Sequence, residues 1–270
     1  SQVALLMKIR IAHISGGDTT EGAYDEAIRH TITKMSHLHF VTNIDAYKRV
    51  KQLGENPKYI FNVGSPTIDY ILDTPMIKRE ELAQKLEFKI RKINILFTYH
   101  PVTLNPEKNR DDLIVILDAL SGLGEDVGIL ITKANADDGG RLLNQEILNF
   151  TSKNKNAKSY DALGQYLYYN CINTFDCVIG NSSSGLFEVP SFKKPTVNIG
   201  DRQKGRIKSN SVIDCEVNKK KILEAISRAL SINCDDIVNP YGEGRSAEKI
   251  IALLETINIK KIPLQKHFYS

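Results

Sequence analysis

The chain has 270 residues, enough to bury one large hydrophobic core or two medium ones, and this length favours two domains. Its 36 basic and 32 acidic residues leave a formal net charge of +4, too small to indicate a nucleic-acid-binding protein. No apolar run reaches membrane-spanning length. The four cysteines show no CxxC spacing, which indicates neither a zinc site nor a disulfide framework and favours a reduced, cytoplasmic setting.

Residues 1–7 lack the positively charged start of a targeting peptide. Their pattern is typical of the end of a helix that continues directly into a strand. We therefore expect the chain to begin partway through a domain.

Strand and helix patterns alternate from there to the end of the chain. Short apolar or β-branched runs predict strands, and longer runs with helical spacing of apolar residues predict helices. The predicted strands are 8–14, 39–42, 59–63, 92–99, 127–132, 176–180 and 195–199. The predicted helices are 22–37, 45–53, 67–72, one ending near 86, 111–123, 139–153, 163–175, 186–192, 218–230 and 246–257. The pattern predicts an α/β fold with two doubly wound domains that meet near residues 64–66.

Four loops that follow predicted strands are rich in small or functional residues. In doubly wound sheets, ligands bind beyond the carboxyl ends of the strands, where such loops lead into helices. The four loops are HISGGD (13–18), TYHP (98–101), TKANAD (132–137) and the loop within VIGNSSSGLFE (178–188). These loops are therefore the candidate ligand-binding regions.

The fourth loop has the composition of a phosphate-binding site. Ser182 and Ser183 precede a predicted helix, where hydroxyl groups, exposed amides and the positive helix end can bind phosphate oxygens. Glu188 could accept hydrogen bonds from ribose hydroxyls, and Arg202 could contact a diphosphate. The alternative is that the serines only cap the helix and that Glu188 faces solvent, since serine is a preferred capping residue.

Histidines and acidic residues elsewhere give weaker signals. His100 precedes a proline at a strand end, where it could protonate or hydrogen-bond a leaving diphosphate, although a single histidine is more often structural. Asp25 lies in the first turns of a predicted helix, where an acidic residue is also expected because of the helix dipole. The six histidines show no metal-ligand spacing, so no metal site is predicted.

Five segments carry a family resemblance. They are HISGGDTTEGAYDEAIRHTITKMSHLHF (13–40), VGSPTIDYI (63–71), YHPVT (99–103), GNSSSGLFEVPSFKKPTVNIGDRQKGR (180–206) and NPYGEGRSAEKI (239–250). In this order they resemble the UDP-N-acetylglucosamine 2-epimerases, and within that family the hydrolysing branch of sialic-acid biosynthesis. The resemblance implies a glycosyltransferase-B-like fold of two Rossmann-like domains with parallel sheets, the first domain incomplete, and a nucleotide sugar bound between them.

The resemblance also implies domain boundaries and site residues. Residues 1–67 would be the C-terminal part of the first Rossmann-like domain, 68–245 the second, UDP-binding domain, and 246–270 a helix that crosses back to the first. In the second domain, the expected binding residues are Ser182, Ser183 and Arg202 at the diphosphate, Glu188 at the ribose and Asn135 in the nucleotide pocket. His100 would act beside the sugar and the leaving group.

In the first domain, Asp25 matches a family carboxylate near the reacting carbons, and Arg29 and His30 follow it in the same helix. His13 opens the first loop as an expected binding residue. Ser15 is an expected catalytic residue, although it stands where many relatives carry Glu or His and a serine alone is a poor general base. Asp18, three residues on, is expected to compensate as a catalytic residue.

The implied reaction is hydrolysing epimerisation of UDP-N-acetylglucosamine. UDP is eliminated to give a glycal, and water then adds with the opposite configuration at C2, releasing free N-acetylmannosamine. Elimination needs a base near C2 and stabilisation of the departing UDP. No cofactor is implied, and a homodimer without nucleic-acid or membrane partners is expected.

Four alternatives remain open at this stage. The nearest rival substrate is UDP-N,N′-diacetylbacillosamine, a precursor of legionaminic acid. Relatives carry a further first segment of about 100 residues with an arginine-containing phosphate loop and another catalytic aspartate. Without these, the 270 residues alone are expected to turn over substrate poorly, and an inactive UDP-sugar-binding fragment is the non-catalytic alternative. Non-hydrolysing epimerases and glycosyltransferases fit the sequence less well.

Overall fold

The computed structural model describes residues 1–20, 25–102, 108–134 and 140–270. Its strands are β1 Ala12–Ile14, β2 Leu38–Val41, β3 Ile60–Asn62, β4 Ile93–Thr98, β5 Val127–Thr132, β6 Ala157–Tyr160, β7 Cys177–Gly180, β8 Thr196–Ile199 and β9 Val212–Cys215. Its helices are α1 Gln2–Leu6, α2 Asp25–Met35, α3 Ile44–Gln52, α4 Pro66–Asp73, α5 Arg79–Lys85, α6 Asn109–Ser121, α7 Gly140–Lys153, α8 Gly164–Thr174, α9 Ser184–Phe187, α10 Lys219–Leu230 and α11 Ser246–Thr256. None of these described helices is long and apolar enough to cross a membrane.

The chain divides into two compact units. Unit 1 contains Ser1–Asp73, Gly205–Ile207 and Asn239–Ser270, and unit 2 contains Thr74–Lys204 and Lys208–Val238. Unit 1 includes the whole of α4, whereas the sequence places its boundary at residue 67. The reason is that the Asp69 carboxylate in α4 accepts hydrogen bonds from the backbone N–H groups of Ser246 (2.9 Å) and Ala247 (2.8 Å), at the start of α11.

The segment before α11 also belongs to unit 1, instead of to the second domain as expected from the sequence. The backbone N–H of Ser65 donates to the carbonyl of Tyr241 at 2.8 Å. Gly64 fits beside this segment because an added Cβ would lie 3.1 Å from the same carbonyl oxygen. The chain therefore returns to unit 1 at Asn239, seven residues before α11 begins.

Unit 1 is built on a parallel sheet in the order β1-β2-β3. Leu38 and Phe40 of β2 pack against Ile250 of α11 and Ile262 of the C-terminal segment. A second cluster contains Val41, Ala46, Val50 and Ile60. Helices and loops thus cover both faces of the short sheet, as expected for parallel strands.

Unit 2 contains a six-stranded parallel sheet in the order β6-β5-β4-β7-β8-β9. Numbered within the unit, this is the 3-2-1-4-5-6 order of a Rossmann-type sheet, and the chain reverses direction of winding between β4 and β7. Apolar residues of α6, α7 and α10 join those of the central strands in one large core. The carboxyl ends of β4 and β7 are therefore the place where such a sheet binds ligands.

The two outer strands of this sheet, β6 and β9, are not among the predicted strands. Both strands mix polar and apolar residues: β6 reads Ala-Lys-Ser-Tyr and β9 reads Val-Ile-Asp-Cys. Strand β6 is only partly buried along its length. Edge strands need less apolar surface than central ones, so their sequence pattern is weaker.

The predicted helix 186–192 is also different in the structure. It begins earlier as the single turn α9 and continues as the 3-10 helix Val189–Phe192. Pro190 has no N–H to donate, and Lys193 ends the segment in the left-handed conformation at φ +54°.

Candidate functional site

The best-placed candidate site lies at the carboxyl ends of β4 and β7. The two strands pair in parallel, with Thr98 of β4 opposite Gly180 of β7. Residues 98–100 follow from β4 and are called the histidine corner below. Residues 180–184 follow from β7 and are called the serine corner.

Gly180 has a backbone conformation that aims its missing side chain at the paired strand. Its φ is +132°, and a Cβ added there would lie 1.8 Å from the carbonyl oxygen of Thr98. No side chain can be accommodated at that distance, so a glycine is required. The backbone N–H of Asn181, the next residue, donates to the same Thr98 oxygen at 3.1 Å.

Asn181 then joins the two corners through its side chain. Its Oδ1 accepts a hydrogen bond from the His100 N–H at 2.7 Å, and its Nδ2 donates to the His100 carbonyl at 2.8 Å. The backbone carbonyl of Asn181 accepts from Gln203 Nε2 at 2.8 Å and from Arg202 Nη1 at 3.3 Å. The segment after β8 is thereby attached to the same point.

The serine corner presents hydroxyl groups and backbone amides. The Ser184 N–H donates to Ser182 Oγ at a long 3.4 Å, and Ser183 makes no side-chain capping bond. None of the hydrogen bonds among the described residues uses the backbone N–H of Ser182 or Ser183. Helix capping therefore explains only one weak hydrogen bond at these serines. The hydroxyl groups and backbone N–H groups of Ser182 and Ser183 can donate to a ligand.

The expected contribution of a helix dipole at this corner needs correction. The dipole effect depends on many aligned peptide groups, and α9 has only four residues. Binding of an anion here must depend on individual N–H and O–H donors and on the charge of Arg202.

Glu188 lies directly after α9 and is only partly exposed, so the alternative that it simply faces solvent does not describe it. Tyr169 Oη donates to Glu188 Oε1 at 3.2 Å. Burial raises the pKa of Glu188, and the hydrogen bond from Tyr169 opposes this rise. A partly buried carboxylate with an orienting tyrosine is suited to accept hydrogen bonds from hydroxyl groups.

Unit 1 holds a second group of candidate residues, beginning with His13 of β1. Its Nδ1 lies 3.1 Å from Thr33 Oγ1. A Cβ on Gly16 would approach His13 Nδ1 to 2.7 Å, so this glycine leaves room for the imidazole. Burial, with the nearby charges of His39 and Arg29, lowers the pKa of His13 to about 4. The ring is therefore neutral near pH 7.

Asp18 and Asp25 are linked through Arg29. Asp18 is buried, its Oδ1 accepts from Thr42 Oγ1 (2.7 Å) and Asn43 Nδ2 (3.1 Å), and burial raises its pKa. Arg29 Nη1 donates to the Asp18 carbonyl at 2.9 Å, and Arg29 Nη2 contacts Asp25 Oδ2 at 2.5 Å. Two carboxylates and a cation are thus held by one short part of unit 1.

The other unit 1 candidates have different surroundings. Ser15 follows β1 with φ +64°, a strained conformation for a residue with a side chain, and its N–H donates to the Phe40 carbonyl at 2.9 Å. His30 Nε2 lies 3.5 Å from Glu26 Oε1, so its partner is Glu26 and not Asp25. Asn135 lies outside the described residues.

Several residues near the candidate sites were not predicted from the sequence. Asn181 and Gln203 are identified only by their contacts across the serine corner, and Arg206 by its hydrogen bonds to Thr20 Oγ1 (2.6 Å) and the Thr19 carbonyl (3.1 Å). Arg202, Gln203 and Arg206 share the segment DRQKGR, whose charge and position after a strand are the signal that sequence reasoning could have used. Among the described residues, no cluster of His, Cys, Asp and Glu could hold a metal ion.

Comparison with known proteins shows the family of this chain. The sequence profile of the UDP-N-acetylglucosamine 2-epimerase family matches residues 1–255. The chain belongs to this family. It is 43% identical over 219 residues to the GDP/UDP-N,N'-diacetylbacillosamine 2-epimerase (hydrolyzing) of Campylobacter jejuni, covering 81% of this chain and 57% of that protein. It is 34% identical over 276 residues to the Polysialic acid biosynthesis protein P7 of Escherichia coli, covering 99% of this chain and 69% of that protein.

Solved structures of epimerases share the fold. The UDP-GlcNAc 2-epimerase of Neisseria meningitidis bound to UDP-GlcNAc superposes with a TM-score of 0.79 at 16% identity, over 95% of this chain and 72% of that one. At this identity the likeness concerns the fold alone. It confirms the predicted α/β fold of the glycosyltransferase-B type with parallel sheets.

Proposed function

We propose that this family member takes part in the hydrolysing 2-epimerisation of a nucleotide-activated N-acetylated amino sugar. The observation that carries the proposal is the serine corner at the reversal point of the unit 2 sheet, joined to His100 by the Asn181 side chain. Ser182 and Ser183 with their amides, together with Arg202, are proposed to bind the diphosphate. Glu188 is proposed to accept hydrogen bonds from the ribose.

The residues of unit 2 are suited to stabilise a leaving nucleoside diphosphate. When the C1–O bond of the sugar breaks, negative charge develops on the diphosphate oxygens. Hydroxyl and amide donors with a guanidinium cation can stabilise that charge without reorganisation. His100 is proposed to act beside the leaving group and the sugar.

The unit 1 carboxylates are proposed to move the C2 proton. In the first step a carboxylate takes the C2 proton while the C1–C2 double bond forms and the nucleoside diphosphate departs. In the second step water supplies a hydroxyl to C1 and a proton is delivered to C2 on the opposite face. Asp25 and Asp18 are proposed for these transfers, with His13, Arg29 and His30 as binding residues, and Ser15 takes no proton-transfer step unaided.

The identity of the sugar is the finer part of the proposal. The sequence favours UDP-N-acetylglucosamine, with N-acetylmannosamine as the product. The 43% identity to a diacetylbacillosamine epimerase favours UDP-N,N′-diacetylbacillosamine instead, and we propose this as the first substrate to test. A homodimer in the cytoplasm, without cofactor, belongs to the same proposal.

The test is incubation of the full-length enzyme with UDP-N,N′-diacetylbacillosamine, its GDP analogue and UDP-N-acetylglucosamine in separate reactions. NMR should show a free 2-epimerised sugar and an equimolar amount of nucleoside diphosphate. In D₂O the product should carry deuterium at C2, because the C2 proton is replaced. Formation of a UDP-linked epimer without release of UDP would contradict hydrolysis. UDP binding without turnover of any of the three would favour the non-catalytic binding alternative.

A further inference from the structure

Two adjacent side chains share one acceptor at the serine corner. Gln203 Nε2 donates to the Asn181 carbonyl at 2.8 Å, and Arg202 Nη1 donates to the same oxygen at 3.3 Å. Asn181 and Gln203 are each only 1% exposed, whereas Arg202 is half-buried. The neutral donor is therefore the closer and more deeply buried of the two.

The orientation of the Gln203 amide follows from this contact. Only its NH₂ group can donate to a carbonyl, so Oε1 must point the other way. Oε1 is buried and has no hydrogen-bond partner among the described residues. Buried polar atoms normally have partners, so the contact with Asn181 is retained although the other half of the amide is unsatisfied.

The Asn181 carbonyl must keep a donor because it is buried. Arg202 could supply one, but a guanidinium binds an anionic oxygen more strongly than a neutral carbonyl. With Gln203 in place, Arg202 can turn to an anion and the Asn181 carbonyl still has its closer donor. Without Gln203, the same movement of Arg202 would leave a buried carbonyl unsatisfied.

We propose that Gln203 is a positioning residue for the nucleotide diphosphate. It satisfies the Asn181 carbonyl, and Arg202 is thereby available to bind the diphosphate oxygens. The Asn181 side chain holds the His100 backbone, so Gln203 also fixes the point at which the leaving group and His100 meet. This inference rests on the proposed function, since it requires a diphosphate at the serine corner.

A double-mutant cycle with UDP as the probe tests this inference. Calorimetry would measure UDP affinity for the wild-type protein, Gln203→Met, Arg202→Met and the double variant. We expect each single change to weaken binding about tenfold, because each removes the same charge-assisted contact. In the Arg202→Met background, Gln203→Met should weaken binding less than about twofold, since residues that act as a unit are not additive. Affinity for uridine should be equal in all four proteins.

A merely structural role for Gln203 would give the same loss in both backgrounds, and that result would overturn the inference. Gln145→Met, an exposed change in α7, is the matched control and should leave UDP affinity unchanged. If Gln203→Met does not fold, Gln203→Leu takes its place, because leucine also lacks a donor for the carbonyl and adds no charge beside the diphosphate. Absence of UDP binding by the wild-type protein, or no loss with Arg202→Met, would refute the proposed function itself.

Discussion

Asn181 and His100 are joined by two hydrogen bonds that use both ends of the asparagine amide. The bonds are 2.7 Å and 2.8 Å long and connect residues 81 positions apart in the sequence. This pair connects the loops that follow β4 and β7 at the candidate site.

Asn181→Ala should destabilise unit 2 by roughly 2–4 kcal/mol, because the His100 N–H and carbonyl both lose their partner. Urea unfolding measured by fluorescence or circular dichroism would give the difference. Asn149→Ala, an exposed change in α7, should stay within about 0.5 kcal/mol of wild type. An equal loss in both variants would show that the two hydrogen bonds do not matter.

Gly180→Ala should destabilise the protein far more than an alanine substitution at another glycine with a positive φ angle. The added Cβ would meet the Thr98 carbonyl at 1.8 Å, whereas at Gly124, with φ +84°, nothing lies within 4 Å. Gly124→Ala should therefore cost only about 1–2 kcal/mol from the backbone conformation. We expect Gly180→Ala to exceed 4 kcal/mol or to prevent folding. Equal melting temperatures of the two variants would contradict the close approach of β4 and β7.

Glu188 should make stability depend on pH in a defined direction. Burial raises its pKa from the ordinary 4.5, so the folded state holds a proton that the unfolded state releases. Its unfavourable contribution is then absent below pH 4.5 and grows as pH rises through the raised pKa. Glu188→Gln should melt increasingly above the wild-type protein over that pH range. A difference in melting temperature that does not change with pH would show that burial does not shift this carboxyl group.

Glu55, which lies in unit 1, should make stability depend on pH in the opposite direction to Glu188. Its buried carboxylate contacts Lys34 (2.6 Å), Lys266 (2.6 Å) and His39 (3.1 Å). Burial opposes ionisation, but these hydrogen bonds lower its pKa from 4.5 to about 2. Its stabilising contribution is therefore full above pH 4.5 and is lost as pH falls towards 2.

Glu55→Gln should cost roughly 1–3 kcal/mol at pH 7, because the partly exposed Lys34 and Lys266 lose their charged partner. Thermal unfolding across pH 2–7 would also show a weaker acid dependence than in wild type. Glu248→Gln, in the exposed first turn of α11, serves as the control and should change neither quantity. A neutral effect of Glu55→Gln would mean that the C-terminal segment is held by other contacts.

The sequence predicts the central parts of this fold well. Strand β5 and helix α10 are predicted to within one residue because their apolar residues recur with a clear period and they pack against one large core. Strands β6 and β9 are missed because edge strands do not require continuous apolar residues. The boundary between the two units depends on long-range contacts, such as that of Asp69 with the start of α11. Such contacts leave no local pattern in the sequence.

The candidate site likewise contains some residues that the sequence predicts and others that only the structure reveals. Ser182, Ser183 and Arg202 are predicted from small-residue composition, from charge and from position after a strand, and Arg202 contacts the carbonyl of Asn181, the residue before the two serines. The roles of Asn181 and Gln203 depend on contacts between separate loops, so no local pattern indicates them. The single-turn length of α9 could not be predicted either, because Pro190 sits where a proline can also begin a helix.

The measurement that tests the account most directly is calorimetry of UDP binding to a Ser182→Ala/Ser183→Ala variant. The Ser121→Ala/Ser152→Ala protein, changed at exposed helical serines of unit 2, is the matched control. We predict that the first variant binds UDP at least about tenfold more weakly than wild type while its affinity for uridine is unchanged, and that the control binds like wild type. Equal UDP affinity in all three proteins would contradict a diphosphate site at the serine corner.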